Sequence, residues 1–174
     1  TGSCFEYGIS GLNYEKIPAN AALLPTQSYP ASKAAASIAF TQFAKDHNIS
    51  LSLVRLFQIF GEGELNSRLY PSLKEKALSG EDFKMTKGEQ IRDFMNVKDV
   101  AKTLLKEANS LAKSNSSIIK IQNMGSGKPK SILEFSNEIW KKYNAHGKLI
   151  PGALDYRKGE VMKYIPSLKP FILR

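Results

Sequence analysis

Between residues 29 and 47, Ala31, Ala34, Ala35, Ile38, Ala39, Phe43 and Ala44 recur at helical spacing, which predicts an α-helix with this stripe as its apolar face. Pro30 is tolerated in a first turn, and Asp46-His47-Asn48 closes the pattern. Residues 51–59 (LSLVRLFQI) form a short apolar, β-rich run, as expected of one strand buried on both faces. The run leads into Phe60-Gly61-Glu62-Gly63-Glu64, a glycine-containing loop. A helix followed by a buried strand is half of a βαβ unit. Ligands of open α/β sheets bind just beyond the carboxyl ends of strands, so this loop is a candidate ligand wall.

Residues 69–78 read as a second helix, with Pro71 in its first turn and Gly80 after its end. Residues 82–86 form a weak strand and Lys87-Gly88-Glu89 a turn. Asn96 opens a third helix through Val97, Val100, Ala101, Leu104, Leu105 and Ala108. Residues 118–122 (IIKIQ) predict another buried strand, broken by Gly125-Ser126-Gly127. Ser131 and Glu134 have capping-box spacing and open a fourth helix through Ile139 and Trp140. Beyond it, Pro151, Gly152, Gly159, Pro166 and Pro170 predict an irregular tail. Gly125-Ser126-Gly127-Lys128 is followed by Pro129 and lacks the full phosphate-loop pattern, so a strand-to-helix turn is the better account.

The chain has 174 residues, 42% hydrophobic and 24% charged, which fits one globular core or a core with a small lobe. No apolar run approaches the roughly 20 residues of a membrane span. The sequence begins at Thr1-Gly2-Ser3 without a Met or a signal peptide and reads as part of a longer product. Cys4 is the single cysteine, so no internal disulfide forms; a reducing compartment and a cytoplasmic location are expected. His47 and His146 are far apart and give no metal-ligand spacing. Asn48-Ile49-Ser50 and Asn115-Ser116-Ser117 fit the glycosylation sequon, which means little without a secretory signal. The net charge of +9 is spread along the chain without a dense basic run, which favours a solvated surface over nucleic-acid binding. A site for a phosphorylated small molecule needs only two or three well-placed cations.

Candidate chemistry centres on Ser28-Tyr29-Pro30-Ala31-Ser32-Lys33. One helical turn separates Tyr29 from Lys33, so helix formation sets both on one face. A free phenol, with a pKa of about 10, is a poor acid-base catalyst at neutral pH. A cation held beside it favours the phenolate and brings proton exchange into reach. Taken alone, a Y-x-x-x-K spacing is weak evidence, and a half-buried Tyr beside a solvated Lys is the better account of it.

Three further blocks occur in order around Tyr29: Thr1-Gly2-Ser3-Cys4-Phe5-Glu6-Tyr7-Gly8, Arg55-Leu56-Phe57-Gln58-Ile59-Phe60-Gly61, and Arg92-Asp93-Phe94 running to Val97-Lys98-Asp99-Val100-Ala101. With them, residues 1–164 resemble the extended short-chain dehydrogenase/reductase family, the NAD(P)-dependent nucleotide-sugar epimerases, dehydratases and 4-ketoreductases. The resemblance implies an α/β fold: the C-terminal portion of a Rossmann-type doubly wound parallel sheet (residues 1–60 and 93–127) plus a small mixed α/β substrate-binding lobe (61–92 and 128–174). It implies Ser3 as the catalytic hydroxyl, Tyr29 as proton donor or acceptor, and Lys33 as the cation that binds the nicotinamide ribose and assists Tyr29. Tyr29, Lys33 and Phe57 would meet the cofactor, NAD or NADP. Gln58, where the family commonly has Asn, would face the sugar, while Arg92 and Arg157 would bind the diphosphate. Asp93 and Asp99 read as structural, one anchoring a loop and one near a helix N-terminus. Arg68 begins a solvated helix.

The resemblance implies a nucleotide-diphosphate sugar as substrate and a homodimer, with neither nucleic acid nor membrane as partner. No G-x-G-x-x-G occurs in the chain, and the family carries that fingerprint ahead of the position of Ser3. A parallel sheet edge and an apolar face are therefore expected to need cover from another chain or copy. Phe60 and Glu62 depart from the family's Tyr-Gly-Pro form of this loop. In the 4,6-dehydratases Asp-Glu follows the Ser3 position to supply acid and base, whereas Cys4 and Phe5 stand here. That leaves redox chemistry at a ring carbon, as a 4-ketoreductase or 4-epimerase acting on a (deoxy)hexose nucleotide. A non-catalytic nucleotide-sugar or NAD(P)-binding module of the same fold is the second reading.

Overall fold

The computed structural model describes residues 1–114 and 117–173; Asn115, of the second sequon, lies outside the described residues. The chain opens with a two-residue strand, β1 (Gly2–Ser3), and two 3-10 turns, Cys4–Tyr7 and Ile9–Asn13. The predicted helix is α1 (Ser28–Asp46), followed by β2 (Leu51–Leu56) and β3 (Gln58–Phe60). Next come α2 (Leu69–Ser79), β4 (Phe83–Met85), β5 (Ile91–Arg92) and β6 (Phe94–Asn96). α3 (Val97–Ala112) precedes β7 (Ile119–Met124) and β8 (Lys130–Ser131). The chain continues through α4 (Ile132–Lys142), β9 (Leu149–Pro151), β10 (Lys163–Tyr164) and β11 (Phe171–Leu173).

The main sheet has the order β1-β2-β7-β11, with β1, β2 and β7 parallel and β11 antiparallel. Ser3 sits opposite Leu56, and Leu56 opposite Met124, so three carboxyl ends lie together. Both faces of β2 are covered, as the apolar run predicts. Leu53 packs with Ala19, Ile121, Phe171 and Leu173, while Val54 packs with Val100, Met124 and Leu104. The second packing centre gathers Tyr70, Leu73, Phe94, Phe135 and Ile139 from α2, β6 and α4. There the rings of Phe94 and Phe135 stack with centroids 3.9 Å apart.

Caps and turns follow the residues that predict them. Gly80 ends α2 in the left-handed conformation (φ 74°), Asn96 accepts from the Lys98 N–H at the head of α3, and Ser131 and Glu134 form the capping box of α4.

Three expectations need correction. The run 51–59 is two strands, not one. At Phe57 the ring turns into a cluster with Cys4, Tyr7, Ile17 and Ala21, and the chain leaves the main sheet to pair β3 with β6. The apolar stripe of α1 is largely solvent-exposed: Ala31, Ala35, Ile38, Ala39 and Phe43 are exposed, and of the stripe the helix buries Ala34 and Ala44, together with Pro30 and Ser37. Small residues on the buried side let α1 approach β1 closely, whereas an Ala-rich stripe reads alike for core and surface. The tail is also not irregular throughout. β9 pairs with β4, β10 with β5, and β11, within the span 128–174 expected of the smaller lobe, closes the main sheet.

Candidate active site

Ser3 ends β1 and caps the turn that follows, its Oγ accepting the Phe5 N–H at 3.3 Å. Among the described residues its own hydroxyl proton has no acceptor, so the side chain retains a donor. Tyr29 lies in the first turn of α1 with 58% of its surface exposed and its phenol without a partner among the described residues. Lys33, one turn on and half-buried, donates from Nζ to the Thr1 carbonyl at 3.4 Å. That contact ties α1 to the strand that carries Ser3. The helix thus carries Tyr29 and Lys33 one turn apart, with Lys33 tied to the residue that precedes β1.

Gln58 begins β3 two residues past Leu56, the register partner of Ser3, so it leaves the sheet at the same end. Phe57 is different: its ring is 7% exposed and packs between Tyr7 and Tyr164, with centroids 6.4 Å and 6.2 Å away. The loop after β3 lines a pocket together with Tyr70 and Lys74 of α2, and Glu64 turns one carboxylate oxygen inward without a partner. Burial pushes the Glu64 carboxyl above its ordinary value.

Arg92 approaches from β5. Its guanidinium donates to the Ile91 carbonyl at 2.9 Å and the Val161 carbonyl at 2.6 Å, and lies 3.6 Å from Glu160. Burial pulls its pKa below the ordinary guanidinium value. Tyr164, the register partner of Arg92, reaches the Cys4 carbonyl at 3.2 Å, which sets Arg92 on the Ser3 side of the molecule. Arg157 is exposed in the turn before β10, and its carbonyl accepts the Glu160 N–H at 3.0 Å. The carboxylate that meets Arg92 therefore sits in the same turn as Arg157.

Asp93 is 1% exposed and accepts from the Ser126 N–H at 2.7 Å, the Ser126 hydroxyl at 2.5 Å and the Gly127 N–H at 2.9 Å. It anchors the glycine turn after β7, the loop-anchoring role read from sequence. Asp99 lies in the first turn of α3 beside Lys102, and exposed Arg68 directly precedes α2 without a capping bond from its side chain.

Behind Ser3 lies a polar network that the sequence reading missed. Glu6, fully buried, accepts from the Ser3 N–H at 2.7 Å, the Ser37 hydroxyl at 2.7 Å and Arg55 Nε at 2.8 Å. Arg55 donates onward to the Tyr7 hydroxyl at 3.1 Å and the Ala19 carbonyl at 2.9 Å, and Tyr7 donates to Asn123 at 2.6 Å. The available signal was a pair of opposite charges, each inside an otherwise apolar segment. Cys4 is also buried, which pushes its thiol up to about 12 and keeps it protonated at neutral pH.

The parallel strands β1, β2 and β7 with their flanking helices make this a Rossmann-type α/β fold. The chain belongs to the NAD dependent epimerase/dehydratase family, whose model matches residues 1–121. UDP-arabinose 4-epimerase 1 of Arabidopsis thaliana is 26% identical over 133 residues, covering 64% of this chain and 31% of that protein. The chain spans about a third of the length of the curated relatives it matches. Among solved structures, the UDP-N-acetylglucosamine 4-epimerase of Methanobrevibacter ruminantium M1 superposes with a TM-score of 0.78 at 24% identity, covering 96% of this chain and 52% of that one. The dTDP-glucose 4,6-dehydratase of Bacillus anthracis, in complex with NAD, gives a TM-score of 0.72 at 19% identity, covering 96% and 51%. These likenesses carry the fold.

Proposed function

We propose that the chain is the substrate-side part of a nicotinamide-dependent enzyme that interconverts a hydroxyl and a keto group at C4 of a nucleotide sugar, as a 4-epimerase or a 4-ketoreductase. The observation that carries this reading is the Lys33–Thr1 contact, which ties the helix bearing Tyr29 and Lys33 to the segment two residues before Ser3. The 4-epimerases among the relatives and structural neighbours support it.

The residues present fit a dinucleotide on one side. Lys33 spends one weak bond on Thr1 and keeps two N–H donors for ribose hydroxyls, and the Tyr29 phenol, one helical turn earlier, has no partner among the described residues. Phe57 would offer only its main chain, because its ring is committed to the core. When bound, the nicotinamide would deliver or accept the hydride at C4. Tyr29 would move the proton on the C4 oxygen, and Ser3 would hold that oxygen with its unused hydroxyl proton. Gln58 would contact the sugar, and Arg92 and Arg157 the diphosphate. Reorientation of Arg92 would free it from the Val161 carbonyl and Glu160.

Elimination of water is disfavoured because position 4 is a buried protonated thiol and position 5 a phenyl ring. The test is turnover of the intact protein on UDP-hexoses, UDP-pentoses and 4-keto nucleotide sugars, with sugar products separated and nicotinamide absorbance followed. Activity that collapses in Tyr29→Phe supports the reading. No turnover on any of them, or turnover unchanged by the substitution, rejects it in favour of a non-catalytic module.

A further inference from the structure

Glu6 is the most enclosed carboxylate of the site, yet the chemistry proposed above gives it no task. Its two oxygens reach three separate pieces of the chain. Oε1 accepts from the backbone of Ser3, and Oε2 accepts from Ser37 on α1 and from Arg55 on β2. Ser37 lies eight residues after Tyr29 and four after Lys33, on the helical stripe that carries both. Gly2 makes room for this arrangement, since a Cβ there would lie 2.4 Å from Glu6 Oε1.

We propose that Glu6 is a positioning residue that clamps the Ser3 backbone, and through it the Ser3 side chain, to the helix bearing Tyr29 and Lys33, with Ser37 as the anchor on that helix. The role rests on the C4 redox reading for its catalytic consequence, but the clamp itself is a matter of geometry. Without it, the Lys33–Thr1 contact at 3.4 Å is the remaining side-chain tie described between α1 and β1. A single weak bond from a flexible ammonium sets neither the roll nor the axial position of a helix. A carboxylate bonded on one side to the Ser3 backbone and on the other to α1 sets both, and the Arg55 ion pair at 2.8 Å holds it in place. Small losses of alignment between a hydroxyl and a proton-transfer group are costly to rate.

Ser37→Ala severs the link to α1 while leaving the Glu6–Arg55 pair intact, so the variant is expected to fold. Ser37→Thr keeps the hydroxyl donor. Two measurements are made on the intact protein: steady-state kinetics, and the rate at which iodoacetamide modifies Cys4 at pH 8, read on the Cys4 peptide by mass spectrometry. Cys4 adjoins Ser3 and is 6% exposed, so its rate reports opening of the clamped turn without any substrate. Ser37→Ala is expected to raise that rate about tenfold and to lower kcat about tenfold at nearly constant KM, with Ser37→Thr restoring both. Unchanged alkylation, or an unchanged kcat in an active enzyme, overturns the positioning role. Faster alkylation in Ser37→Ala with an inactive wild type upholds the clamp and counts against the C4 redox reading.

Discussion

Glu6 Oε2 and Arg55 Nε lie 2.8 Å apart with side chains 0% and 5% exposed, so the ion pair sits inside the fold and not across its surface. Desolvating two charges offsets much of their attraction. The pair is sustained by further partners of both groups: Ser3 and Ser37 on one side, Tyr7 and Ala19 on the other. The guanidinium also lies over the Tyr7 ring, 4.8 Å from its centroid.

Breaking one side of this pair should be far worse than replacing both. Arg55→Met leaves Glu6 buried without its counter-charge and is expected to cost about 3–5 kcal/mol. The double variant Glu6→Gln/Arg55→Met should cost clearly less than the sum of the two single changes. Urea unfolding of all four proteins measures the cycle; additive losses would show that the two residues do not interact.

Tyr29→Phe should separate chemistry from stability. The phenol is 58% exposed and bonds to nothing described, so its loss should change stability by no more than about 0.5 kcal/mol. Removal of a positioned proton donor should lower kcat by about 10²–10⁴-fold. Thermal unfolding and initial rates on the same preparation provide the comparison.

The elements with long periodic or capped signals were legible: α3 and α4 start after Asn96 and Ser131, and α2 stops at Gly80. The break at Phe57 was not, because the apolar run continues through it while the partner strand changes from β7 to β6. Strands of two residues such as β1, β5 and β8 are too short to carry a period. In the site, spacing alone pointed to Tyr29 and Lys33, while Ser3, Gln58, Arg92 and Arg157 needed the family resemblance. Glu6 and Arg55 are 49 positions apart, and nothing local in either segment announces the other.

Asp93 should govern the turn after β7. Its carboxylate holds two backbone N–H groups and the Ser126 hydroxyl, and Asp93→Ala would leave those donors without a protein partner. The expected loss is about 3 kcal/mol, with Asp93→Asn intermediate because one oxygen acceptor remains. Amide exchange at Ser126 and Gly127 should quicken in the same order, and protection equal to wild type in Asp93→Ala would refute the anchor.

Alkaline pH should weaken the fold through its buried thiol. Burial raises the Cys4 pKa to about 12 in the folded state, against about 8.5 for an unfolded thiol. Between those values the unfolded chain has lost a proton that the folded chain keeps, so stability falls as pH rises. The contribution is fully present below about pH 8.5 and declines by about 1.4 kcal/mol per pH unit above it, levelling off near pH 12. Tyr70, also raised to about 12, and Tyr7 and Tyr164, raised chiefly by burial, extend the loss above about pH 10. Urea midpoints at pH 8 and pH 10 should therefore differ by about 2 kcal/mol in the wild type. Most of that difference should vanish in Cys4→Ala, which has no thiol to ionise. A drop of the same size in both proteins would assign the alkaline loss to other groups.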